Sequence, residues 1–207
     1  MLSSPHASST TGNASAGRVT ARERAERIGH GGCIIWLTGL SGAGKSTIAT
    51  SLERALFDMG KNVCVLDGDE LRSGLCADLG FSPEDRHENL RRASEVAILR
   101  KDLAYFVIMA FISPYRADRD RVRSKVGAGE FIEVFVNAPL DVCEQRDPKG
   151  LYVKARSGAI ADFTGVSAPY EPPLRPEIEL RTHIHSPEEC VGQLLQYLRT
   201  QKNDYSI

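Results

Sequence analysis

Between positions 33 and 136 short apolar runs alternate with longer stretches in which apolar residues recur every three or four positions. Cys33-Ile34-Ile35-Trp36-Leu37-Thr38 is rich in β-formers and ends at a glycine, which predicts a buried strand. The stretch 47–59 sets Ile48, Leu52, Ala55 and Leu56 on one helical face and closes at Gly60, a helix with its C-cap. The same reading predicts strands over 62–66, 106–112 and 131–136, and helices over about 83–100 and 118–126. Ser186-Pro187-Glu188-Glu189 is a helix start signal, and that helix is expected to run to about Leu198. Strand and helix taking turns predicts an α/β fold, a parallel sheet with helices on both faces. Segment 150–176 is rich in Gly, Pro and charge and poor in strand signals, and is read as a mobile lid plus loop.

A chain of 207 residues suits one well-buried domain, since domains commonly run ~100 to 200 residues. Residues 1–17 are almost all Ser, Thr, Ala, Gly, Pro and Asn, so they cannot bury enough surface to offset the entropy of ordering. The expected organisation is a flexible tail over 1–30 with a short charged helix at 18–28, a domain over 31–200, and a C-terminal tail over 201–207. The net charge of −1 argues against a nucleic-acid binder, which needs a basic excess to displace counterions. No apolar run approaches the ~20 residues that span a bilayer, and the N-terminus lacks the charged-then-apolar order of a secretory signal. Arginine begins only at Arg18, where Glu23 and Glu26 follow, which disfavours a transit peptide and leaves a cytoplasmic protein as the expectation. The five cysteines are scattered, with no C-x-x-C pair or zinc-ligand spacing, and read as reduced thiols.

Gly39-Leu40-Ser41-Gly42-Ala43-Gly44-Lys45-Ser46-Thr47 fits G-x-x-x-x-G-K-[ST], directly after a predicted strand and opening a predicted helix. Glycines let the backbone curl so that successive N–H groups face phosphates, and the helix N-terminus adds partial positive charge. Lys45 would reach the β and γ phosphates of ATP, and the Ser46 hydroxyl would ligate Mg2+. The pattern leaves the acceptor open, because GTPases, ATPases and kinases share it.

Asp67-Gly68-Asp69 follows the second predicted strand, at the edge where open α/β sheets hold ligands. Two carboxylates so close need a cation or a proton to manage, and a Mg2+ and a substrate hydroxyl supply both. Either could be the base and the other the metal residue, with Asp69 assigned the base and Asp67 the metal, directly or through water. Arg86 and Asn89 lie three apart on a predicted helix and so share a face, although a solvated charged surface, with Glu84 and Glu88 balancing the arginines, is the better explanation of this segment in isolation.

Taken in order, G-L-S-G-A-G-K-S-T, D-G-D-x-L-R, D-L-G-F-S, D-R-x-E-N-x-R-R, F-I-S-P-Y-R-x-D-R-D, F-I-E-V-F-V, R-D-P-K-G-L-Y, F-T-G and P-Y-E make the chain resemble the adenylylsulfate kinase family over about 32–198. The resemblance implies a homodimeric enzyme of sulfate assimilation that transfers the γ-phosphoryl of MgATP to the ribose 3′-hydroxyl of adenosine 5′-phosphosulfate. It places Arg72, Arg86 and Asn89 on the phosphosulfate end, and Phe81 and Phe163 as an aromatic pair around the acceptor's adenine. Ile112 and Ser113 line the same pocket, Lys149 and Leu151 touch the acceptor from the lid, and Arg146 lies over the donor nucleotide. It also flags Ser113 as a candidate phosphoserine intermediate, a role that disagrees with the chemistry: serine is a weak nucleophile, and no general base is assigned beside it. Whether the chain works beside an ATP sulfurylase is left open.

Some positions depart from the family pattern. Ser73 and Cys76 stand where His and Asn are common, Val153 and Ala161 where lysines often occur, and the stretch 99–105 lacks the A-D-A-G ending of its helix. Rival readings are a nucleoside, shikimate or gluconate kinase, a GTPase, and a silent nucleotide-binding module. No N-K-x-D segment supports a GTPase, and Lys45, Ser46, Asp67 and Asp69 together disfavour the silent module.

Overall fold

The computed structural model describes residues 17–201, so residues 1–16 of the tail expected over 1–30 and residues 202–207 of the tail expected over 201–207 lie outside the described residues. The chain begins with α1 (Ala21–Ile28), which Thr20 and Glu23 start with reciprocal side-chain caps and Gly29 ends in a left-handed turn. Then come β1 (Cys33–Thr38), α2 (Lys45–Asp58), β2 (Val63–Asp67), the single turn α3 (Gly68–Leu71) and the long α4 (Pro83–Lys101). The second half is β3 (Phe106–Ala110), α5 (Arg116–Arg123), β4 (Phe131–Asn137), α6 (Leu140–Arg146), α7 (Leu151–Arg156), β5 (Ile178–Arg181) and α8 (Pro187–Thr200).

The strands form one sheet in the order β2-β3-β1-β4-β5, with every pairing parallel. All six residues of the central β1 are buried, as a strand covered on both faces requires. Side chains alternate between the faces. Cys33, Ile35 and Leu37 join Leu52, Leu56, Leu194 and Leu198 of α2 and α8 in one apolar cluster. Ile34 and Trp36 join Leu90, Ala93 and Ala97 of α4 and Val122 of α5 in the other. The sheet therefore has helices on both faces, as the alternation predicts, and β1 is clamped so that the loop leaving it is held rigidly.

Differences from the expected elements have physical causes. The strand expected over 106–112 stops at Ala110: Phe111 N–H still donates to Leu37 O at 3.2 Å, and the chain then leaves the sheet ahead of Pro114. Segment 150–176, read as lid plus loop, contains one short helix, α7, whose start is capped. Asp147 accepts from the N–H groups of Leu151, Tyr152 and Val153 at 2.8, 3.0 and 3.2 Å, and Tyr152 is buried. Pattern reading passed over α3, α6 and β5 because each is too short to show a period. The turn lacking A-D-A-G forms nonetheless, with Ala104 in the left-handed region at φ 62°. Gly32 lies against it, where a Cβ would come within 2.3 Å of Lys101 O.

Candidate active site

A cleft of about 1190 Å³ opens along the carboxyl ends of the strands. Of the residues expected at the site, all but Gly39, Leu40 and Ala43 line it. Those three sit behind its surface and shape the loop. A Cβ on Gly39 would meet Val136 O at 2.3 Å, and Ala43 is fully buried. Gly42 takes φ +74° and passes so close to Cys143 O that a Cβ would lie 2.8 Å away, so two constraints select glycine there.

Lys45, half-buried at the start of α2, turns its ammonium back into the loop and donates to Gly39 O at 2.9 Å and Leu40 O at 2.8 Å. Burial pulls its pKa down to about 8, against the upward pull of Cys143, Asp67 and Asp69. The next residue, Ser46, donates to Asp67 Oδ2 at 2.7 Å, while Asp67 Oδ1 accepts from Asp69 N–H at 2.9 Å and caps α3. That bonding fixes Asp67 beside Ser46 and leaves the Asp69 carboxylate free to turn outward, where it pairs with Lys149.

Ser46 and Asp67 fit Mg2+ as hard oxygen donors at the foot of a phosphate loop. Among the described residues no group of three or more His, Cys, Asp or Glu forms a metal cage. The donor set thus suits an ion that takes most of its shell from phosphates and water.

At the other end of the cleft Arg72 lies over the Phe81 ring, 4.3 Å from its centroid, and donates to Gly80 O at 2.7 Å. Arg86 donates to Phe81 O, Thr164 Oγ1 and Asp162 O at 2.9, 2.9 and 2.7 Å, tying α4 to the segment after α7. Asn89 is buried, and its Nδ2 has no protein partner, an amide donor held ready at a cleft wall. Phe163 meets Tyr152 edge to face at 5.0 Å, while Phe81 stands 68% exposed. Two aromatic rings, one of them exposed, together with two arginines and an amide in the same cleft suit a flat base joined to an anion.

Ser113 is buried at φ 40°, and its Oγ accepts from Trp36 Nε1 at 3.0 Å. Arg146 donates to Thr182 O at 2.7 Å and to Gly42 O at 3.3 Å, spanning phosphate loop and β5 end.

Sequence reasoning missed Thr182, Tyr152 and Asp147. Thr182 donates to Ala43 O at 2.7 Å and Tyr152 OH to Ser41 O at 2.9 Å, so both brace the phosphate loop. Nothing local marks Thr182, whereas Tyr152 stood in the R-D-P-K-G-L-Y motif. All five thiols are free, with burial pushing each upward in pKa, which fits inert reduced cysteines.

Comparison with known proteins agrees with this geometry. Residues 31–181 match the model of the family described as adenylylsulphate kinase. The chain is 56% identical over 181 residues to the adenylyl-sulfate kinase of Acaryochloris marina, covering 87% of this chain and 88% of that one. Among solved structures, the Mycobacterium tuberculosis APS kinase CysC in complex with AMPPNP and APS superposes with a TM-score of 0.78 at 47% identity. That match covers 83% of this chain and 99% of CysC. A hexameric APS kinase from Thiobacillus denitrificans matches at TM-score 0.63 and 34% identity, covering 82% of this chain and 29% of that one. The parallel sheet, the braced phosphate loop and these likenesses lead to one assignment: the chain belongs to the adenylylsulfate kinase family.

Proposed function

We infer that this chain is an adenylylsulfate kinase, which transfers the γ-phosphoryl of MgATP to the ribose 3′-hydroxyl of adenosine 5′-phosphosulfate, giving ADP and 3′-phosphoadenylylsulfate. The observation that carries the reading is one cleft with two unlike ends. The Ser46–Asp67 bond sits at the phosphate loop, and the Phe81, Arg86, Asn89 and Phe163 wall faces it.

Phosphoryl transfer asks a protein mainly for positioning and charge stabilisation. The backbone of Gly39 to Thr47 cradles the donor phosphates, Lys45 supplies positive charge to them, and Arg146 covers the nucleotide. Ser46 and Asp67 would hold Mg2+, which when bound would neutralise charge on the phosphates. Asp69 accepts the proton of the attacking hydroxyl, since its carboxylate is the one not committed to Ser46. Arg72, Arg86, Asn89 and Lys149 hold the phosphosulfate, Phe81 and Phe163 hold the adenine, and Ile112, Ser113 and Leu151 complete the wall.

The catalytic unit is assigned to 31–200, working as a homodimer in the cytoplasm; among the described residues no helix is long and apolar enough to cross a membrane. Association with an ATP sulfurylase is tested by co-purification. The chemical assignment is tested with deoxy acceptors: 2′-deoxyadenylylsulfate should support ADP release, and 3′-deoxyadenylylsulfate should not. Turnover of the 3′-deoxy compound would refute the hydroxyl assignment.

A further inference from the structure

The wall of the acceptor pocket is built from a segment with almost no regular structure. After β3 ends at Ala110, residues 111–115 carry few backbone bonds: Phe111 N–H to Leu37 O, and Pro114 O accepting from Glu171 N–H at 2.8 Å. Side chains do the rest. Thr38 Oγ1 donates to Ile112 O at 2.8 Å, Trp36 Nε1 to Ser113 Oγ at 3.0 Å, and Arg119 Nη1 to Ser113 O at 2.6 Å. Ser113 is in the left-handed region, a conformation that a non-glycine residue keeps only when its surroundings hold it there.

Arg119 is 1% exposed, among the largest fully buried side chains. Its three arms diverge: Nε to Glu133 Oε1 on β4 at 2.6 Å, Nη1 to Ser113 O, and Nη2 to Glu171 O at 2.8 Å. Glu133 balances the charge and also meets Arg123 at 3.3 Å. A buried guanidinium needs one carboxylate for charge. The other two arms go to carbonyls of irregular backbone, and one of these belongs to the strained residue at the pocket.

We propose that Arg119 is a positioning residue for the acceptor: by holding the Ser113 carbonyl it fixes the Ile112–Ser113 wall against which adenylylsulfate is seated, without touching the substrate. This rests on the acceptor reading given above. It separates two roles of one side chain, stability through Glu133 and acceptor placement through Ser113.

The test compares Arg119→Lys with Glu133→Gln. Lysine keeps the charge opposite Glu133 but cannot serve three diverging acceptors from a single ammonium. R119K is expected to raise the KM for adenylylsulfate on the order of tenfold, the worth of one charged hydrogen bond, with kcat and the KM for MgATP within about twofold. E133Q is expected to lower the melting temperature while the acceptor KM stays at the wild-type value. Trp36, the sole tryptophan, bonds Ser113 directly, so its emission should shift in R119K; Glu133 is its register partner on β4, so E133Q is judged on the acceptor KM and the melting temperature alone. Should R119K fail to fold, the neutral pair R119Q/E133Q is read by the same criteria.

An unchanged acceptor KM in R119K, or an equal rise in E133Q, overturns the proposal. If the wild type shows no adenylylsulfate-dependent ADP release, the functional reading fails instead, and the Trp36 emission still decides whether Arg119 holds Ser113.

Discussion

Lys149, in the turn ahead of α7, closes an ion pair with Asp69 at the start of α3 and so links the two sides of the cleft. Both side chains are more than half exposed, so the pair is worth only about 0 to 1 kcal/mol to the fold. On the proposed function its meaning is chemical: the candidate base and the cation proposed for the acceptor's anion meet at one point. Asp69→Asn is expected to cut turnover by about 10²- to 10⁴-fold, the usual worth of a general base, with the melting temperature unchanged. Lys149→Met should raise the acceptor KM and leave that of MgATP alone. Steady-state kinetics on both variants checks this, and near-normal turnover in Asp69→Asn would show that the base lies elsewhere.

Lys45 yields a pH prediction with a definite sign. Burial holds its pKa at about 8, below the ordinary 10.5, so the free enzyme sheds this charge as pH rises through 8. MgATP phosphates favour the charged form, so binding takes up a proton and MgATP affinity weakens above that pH. For the free fold the sign is opposite. Between pH 8 and the ordinary value the unfolded chain binds more protons, so this group makes stability rise with pH across the window. Calorimetric titration in buffers of different ionisation enthalpy should show the uptake, and Lys45→Ala should remove it along with about 3 to 4 kcal/mol of transition-state stabilisation.

Ser113→Ala removes the acceptor of the Trp36 N–H, leaving a buried donor unpaired at a cost of about 1 to 3 kcal/mol in stability. Activity should fall by a modest factor, on the order of tenfold, because the hydroxyl is committed to the wall rather than to attack. Inversion at a chiral γ-phosphate would agree. Retention, together with complete loss of activity in Ser113→Ala, would establish a covalent intermediate.

Gly32 packs against the turn that ends α4, where a Cβ would strike Lys101 O at 2.3 Å and Tyr105 O at 2.8 Å. Backbone atoms of a turn already strained at Ala104 have no room to give. Gly32→Ala should therefore destabilise by roughly 1 to 3 kcal/mol, as overpacking does, with kcat per folded molecule unchanged. Thermal unfolding beside active-site titration checks both halves.

Much of this was legible in the chain because two periodicities carried it. β1 was readable to the residue, since an apolar run ending at the phosphate loop admits one alternative only. That Asp67 and Asp69 line the cleft was readable because they follow a strand end beside that loop. What stayed hidden depends on contacts between distant segments. The Thr182 bond to Ala43 O crosses 139 residues, and the Arg119 junction gathers three separate stretches of chain. In segment 150–176 the glycines and prolines were legible as local signals, whereas α7 was not, because what holds it lies outside the segment: Asp147 at its start and Ser41 O, which accepts from Tyr152 OH.

The most direct test is ADP release from MgATP over a panel of acceptors at equal concentration: adenylylsulfate, adenosine, AMP, shikimate and gluconate. The cleft predicts release with adenylylsulfate alone, because only that acceptor offers both a base for Phe81 and Phe163 and a phosphosulfate long enough to engage Arg72, Arg86 and Asn89 together, whereas AMP has the base and a single phosphate without the sulfate. Comparable release with any of the other four would contradict the substrate assignment.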